Sequence, residues 1–177
     1  MLGNWLKIEI FLLERINNQS KFTKVLLKLN KVLEDLECKI PDFYKVKLSV
    51  SKASVGWHIE HTLMATIGIL DALKNSDPKT YKWKFNFNRL FVYTFNKIPR
   101  GRAKAPKSVI PKDIILEKDL QQKIDLSKQK IEELKNLQLN HYFNHPYFGH
   151  LNLKPSIKFL EIHANHHLKI IEDILKS

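Results

Sequence analysis

Cysteine is nearly absent from the chain. Cys38 stands alone, so no intramolecular disulfide can form, which fits a reducing compartment. Nothing near Cys38 in sequence lowers a thiol pKa, and a small buried hydrophobe is the role expected of it. Glycine is scarce too, with five residues, and prolines number seven. Few loops and many Leu, Ile and Lys favour helix. No stretch alternates apolar and polar residues clearly enough for a strand, and no internal repeat is present. No apolar run is long enough to span a membrane. The run "WLKIEIFLLERI" is broken by Lys7, Glu9, Glu14 and Arg15 and lacks a small-residue cleavage site. It reads as an amphipathic first helix, and the expected location is cytoplasmic, without membrane insertion.

Negative charge is missing from one whole region. Between Pro78 and Lys112 there is no Asp or Glu, while the same stretch holds ten Lys and Arg. The chain as a whole carries a net charge of +12. Such a stretch attracts anions, whether nucleic acid, acidic lipid head groups or a small negative substrate, although a solvated basic face needs no partner.

What is present is helical periodicity. Phe22, Val25, Leu26, Leu29, Val32, Leu33 and Leu36 recur at steps of three and four, and Pro41 closes that region. "SVGWHIEHTLMATIGILDALK" predicts a second long helix with Ser54 as N-cap. "FNFNRLFVYTFNKI" predicts a short helix whose aromatics pack onto the rest. "PRGRAKAPKSVIPKD" is a proline-punctuated loop. Leu120, Ile124, Ile131 and Leu134 predict a third long helix over about 116–137. "QLNHYFNHPYFGHLN" reads as a loop. The last helix is expected from about Pro155 to Leu175. The sum is one all-α domain over 1–177, an up-down four-helix bundle with extra short helices and a long basic loop.

The eight histidines cluster in the second helix, the "HYFNHPYFGH" segment and the last helix. His163 and His167 are one turn apart on an apolar face, so their imidazoles can converge on one metal ion. A third ligand must come from elsewhere. His61 shares its helix face with Trp57, Met64 and Ala65 and is the best candidate, with His58 in reserve. Three His with a position left for water or substrate suit a divalent ion such as zinc, nickel or ferrous iron. Other chemistry is excluded: there is no Glu-x-x-His pair for a di-iron bundle, "HIEH" is one residue short of the zinc-protease motif, and no glycine-rich phosphate loop or G-x-S-x-G occurs.

The ordered set "WHIEHTLMA", "HPYFGHL" and "HANHHLKII", with "IPRGRAKAPKSV", resembles the DinB-like superfamily of metal-binding four-helix bundles, in a branch known as a domain of unknown function. The resemblance runs from about Lys21 onward. It implies a metal triad of His61, His163 and His167, with His166 beside the site and His145 shaping a loop over the cavity. Relatives often place a capping Thr before the proline, where this chain has Lys154. The resemblance further implies a metal-dependent enzyme acting on a small-molecule substrate, either thiol S-transferase-like with a low-molecular-weight thiol as cofactor, or hydrolase-like. His58, His166 and Glu60 are the candidates for acid–base help, and Arg100, Arg102 and Lys104 for holding an anion. A homodimer is allowed for. The alternative is a non-catalytic helical module that binds an anionic partner such as nucleic acid through 78–112, a partner the aromatic packing disfavours.

Overall fold

A computed structural model describes residues 22–101, 104–111 and 114–176. The amphipathic run near the N-terminus, Arg102 and Lys112 therefore lie outside the described residues. The molecule is mostly helical, with one two-stranded sheet.

The first helix, α1, covers 22–37 and buries Phe22, Leu26, Leu29, Val32, Leu33 and Leu36, the apolar stripe of its sequence. A 3-10 turn at Ile40–Asp42 follows, with Pro41 inside it. Cys38 at the end of this helix is exposed, so it is not the core residue its composition suggested: it falls one step outside the buried stripe.

Helix α2 spans Val55–Asn75, and the Ser54 hydroxyl accepts the Trp57 N–H as its N-cap. Its first turn sits directly on the preceding chain. Val55 N–H and Gly56 N–H donate to the Lys45 and Phe43 carbonyls, and a Cβ at Gly56 would lie 2.9 Å from the Phe43 oxygen. Only glycine permits that approach, and it fixes the end of α2 that carries His58 and His61.

Helix α3, Phe87–Phe95, is closed by Asn96 in the left-handed conformation, with φ 47°. Helix α4, Glu117–Glu133, buries Leu120, Ile124 and Ile131 and tightens into a 3-10 turn at Leu134–Asn136. It is tied to α1 by Gln121 and Lys128, which both donate to the Glu37 carboxylate.

The segment before the last helix is not a loop. Tyr142–His145 (β1) and Gly149–Asn152 (β2) pair antiparallel, with His145 opposite Gly149. The strands are four residues each and carry Asn, His and Tyr, so no apolar alternation announces them. Gly149, at φ 70°, supplies the left-handed residue the turn requires. Helix α5 spans Leu153–Leu175 and starts two residues before Pro155. It packs on α2, which also packs on α4, and the apolar faces of α1, α2, α4 and α5 share one core.

Candidate metal centre

Helices α2 and α5 bring three imidazoles together. One ring nitrogen from each of His61, His163 and His167 lies within 4.8 Å of the other two. His61 and His167 are buried and His163 is partly so. The i, i+4 spacing on α5 sets His163 beside His167, with ring centroids 4.7 Å apart, and His61 reaches both from α2. Trp57, one turn before His61, stacks flat on its ring at 5.1 Å and fixes its plane.

The outward nitrogens define which lone pairs face the cluster. His61 Nδ1–H donates to the Val109 carbonyl at 2.7 Å, leaving Nε2 bare. That Nε2 stands 3.2 Å from His163 Nε2. His163 Nδ1 is enclosed and has no hydrogen-bond partner. His167 Nδ1 lies 3.0 Å from His58 Nδ1, and His58 Nε2 lies 3.0 Å from the Ser51 hydroxyl. With the proton on His167 Nδ1, His58 accepts it and donates its own Nε2–H to Ser51, which also takes the Ala53 N–H. That arrangement leaves His167 Nε2 free to point at the other two rings. Hydrogen bonds on the outer nitrogens that orient the inner ones are the usual support of a metal-binding His set.

Burial is the main cause that lowers the pKa of every imidazole here. It takes His58 down to about 4, holds His163 and His167 well below the ordinary His value, and outweighs the Val109 hydrogen bond at His61. The rings are neutral at pH 7, which is the form that binds a cation. No carboxylate is among the groups that shift them.

The other expected site residues divide. His166 touches His167 edge-on at 5.0 Å and hydrogen-bonds the Ile98 backbone, so it flanks the cluster, half-buried. Arg100 is close enough to lower the pKa of both His58 and His166, and it pairs with Asp173 at 2.8 Å. Glu60 is taken by Lys123 of α4 at 3.1 Å rather than by the imidazoles. Lys104 is exposed, its carbonyl facing the Tyr147 hydroxyl. His145 belongs to β1, not to a loop over a cavity. Its ring stacks on Phe148 at 4.2 Å and meets Phe159 edge-on at 4.5 Å, and Phe159 in turn stacks on His163. It is a buried wall two rings away from the cluster. The cavity lined by Leu70, Asp71, Lys74 and Lys130 lies about three turns along α2 from His61 and contains none of these groups.

Three supports were not legible in the sequence. Ser51 precedes α2 in a segment with no distinguishing motif. Val109 and Ile98 act through backbone carbonyls, which any residue type supplies. They place Ile98 beside His166 and Val109 beside His61. No family model, curated protein or solved structure matches the chain.

Proposed function

We propose that His61, His163 and His167 bind one divalent metal ion and that the protein is a metal-dependent enzyme acting on a small molecule. The observation that carries this is the convergence of three neutral imidazole nitrogens whose outer atoms are hydrogen-bonded for two of the three rings. His61 Nε2 and His163 Nε2 stand 3.2 Å apart, the separation of two atoms that share a proton and that a bound cation would replace. Zinc, nickel or ferrous iron suits such a donor set. When bound, the ion would act as a Lewis acid that makes a thiol or a water acidic near neutral pH.

This chain's own residues set the rest. Trp57 and Val109 hold His61, and His58 with Ser51 holds His167. Arg100 and His166 stand beside the cluster. A thiol-transfer or hydrolytic reaction on an anionic small molecule fits a histidine cluster that no carboxylate shifts and that Arg100 makes more positive. The resemblance to the DinB-like superfamily supports this reading, as does an all-α core in which α2 touches both α4 and α5, the contacts an up-down four-helix bundle makes. Elemental analysis of purified wild type, His61→Ala and His163→Ala tests it. The wild type should carry close to one equivalent of metal and the variants little. Equal metal in all three, or a wild type that cannot be loaded, refutes it.

A further inference from the structure

Helix α3 is turned the opposite way from its expected packing. Its inner face is narrow: Val92 is buried and the Tyr93 hydroxyl donates to the Pro155 carbonyl of α5 at 2.7 Å. Its outer face is Phe87, Leu90, Phe91 and Phe95, a helical stripe with each side chain between 52% and 77% exposed. Trp83 and Phe85 just before it are exposed as well, and the Arg89 guanidinium lies over the Trp83 ring at 5.6 Å, tying that segment to α3. An apolar face this continuous marks a contact surface.

The charges around it select the partner. Lys82, Lys84 and Lys97 border this stretch in the chain and are exposed, and among the described residues no carboxylate pairs with them. Between Pro78 and Lys112 there is no acid to offset them. A second copy of the chain is a poor fit, because a two-fold contact through this stripe would set the lysines at its ends, Lys82, Lys84 and Lys97, against lysines of the other copy in either helix orientation. Single-stranded nucleic acid wants open ring faces for its bases. Here the rings pack on one another at steep angles, Phe85 on Phe87 at 4.9 Å and 85°, Phe91 on Phe95 at 4.7 Å and 50°. Phe, Trp and Leu in one band, flanked by unpaired lysines, match the boundary between acyl chains and anionic head groups.

We propose that the outer face of α3, with Trp83 and Phe85, docks peripherally on an anionic lipid bilayer. The aromatic rings enter the head-group boundary and the lysines meet lipid phosphates. No helix among the described residues is long and apolar enough to cross a membrane, so this is surface attachment. The chain leaving α3 continues through Ile98, whose backbone meets His166 beside the histidine cluster. The proposal does not depend on metal binding.

Co-sedimentation of the full chain with phosphatidylglycerol–phosphatidylcholine vesicles, against pure phosphatidylcholine, tests it. Wild type should bind the anionic vesicles strongly and the neutral ones weakly, and binding should fall as salt rises from about 0.1 to 1 M. Phe87→Glu and Phe91→Glu should each weaken partitioning about tenfold or more, and Lys82→Glu about fivefold. Both Phe side chains are exposed, so helix content by circular dichroism should not change. Failure of wild type to bind anionic vesicles overturns the proposal, whether the face is then covered by residues 1–21, by an oligonucleotide that binds in a parallel assay, or by a second copy that Phe91→Glu releases. Vesicle binding that survives both Phe substitutions overturns it equally.

Discussion

Replacing His58 separates a support of the metal site from a ligand of it. His58 is buried, its Nδ1 is 3.0 Å from His167 Nδ1, and its other nitrogen is held by Ser51. In His58→Leu the volume is kept but the acceptor is lost. His167 Nδ1–H is then a buried donor without a partner, a cost of about 1–3 kcal/mol unless the ring turns. Turning the ring moves Nε2 off the shared point. Either route should weaken metal binding about 10–100-fold, or about 1.4–2.7 kcal/mol. His58→Asn places an amide oxygen near the former Nδ1, so it should regain most of that loss. Ser51→Ala acts one bond further out and should cost only a few-fold. The assay is competition for zinc against a chromophoric chelator, with the visible spectrum of the cobalt form reporting geometry. If His58→Leu binds as tightly as wild type, or if Leu and Asn are equally weak, the hydrogen bond to His167 does not orient a ligand.

Further outcomes follow from the same geometry. His163→Ala and His167→Ala should abolish tight metal binding, while His166→Ala should weaken it by about tenfold, because only the first two remove a donor nitrogen; equal effects in the chelator assay would mean the wrong helix face was chosen. His145 is held neutral by burial, its pKa lowered from 6.5 to about 4. The unfolded chain therefore binds more protons between those values, so the stability from His145 is complete above pH 6.5 and is lost as pH falls toward 4. At pH 5 the loss is about 2 kcal/mol, and His145→Phe, which keeps a ring against Phe148, should show a correspondingly smaller fall in urea midpoint between pH 7.5 and 5. Gly56→Ala should destabilise by about 1–3 kcal/mol in thermal unfolding, although alanine is normally the better helix residue. Its Cβ would sit 2.9 Å from a backbone oxygen that is itself hydrogen-bonded.

The residues that were readable in the sequence are those whose geometry is periodic. Two imidazoles four apart on an apolar helix must be neighbours, and His61 lay on the face of α2 that the Trp57–Ala65 pattern turned inward. The Ser54 cap and the bounds of α2 followed from local chemistry in the same way. What was missed depends on contacts far apart in the chain. His58 is one turn from His61 and offers itself as a reserve ligand, yet the ring it meets, His167, is 109 residues away. The outward face of α3 was misread for a related reason. Aromatic content predicts burial on average, but α3 is held through Val92, Tyr93 and the polar links of Asn86 and Arg89 to the hairpin, which leaves Phe87, Phe91 and Phe95 outside. The hairpin was hidden because two four-residue strands of mixed polarity carry no period to detect.

The absence of acid around the cluster constrains what it can take. A buried divalent charge held by carboxylates is partly neutralised by its own ligands; one held by three imidazoles is not. Asp173 is paired with Arg100 and Lys176, Glu60 with Lys123 and Glu161 with Lys158. Arg100 itself adds positive potential at His58 and His166. On the proposed ion an anion would be the favoured further ligand, and the ordering of anionic over neutral ligands should be steep. In the cobalt-loaded protein, a thiol bearing a carboxylate should perturb the visible spectrum at lower concentration than a neutral thiol of the same length. Arg100→Gln should shrink that difference by about fivefold, since an exposed guanidinium near a charged ligand contributes on the order of 1 kcal/mol. If the neutral thiol binds as well as the charged one, the positive potential at the cluster plays no part in choosing the ligand.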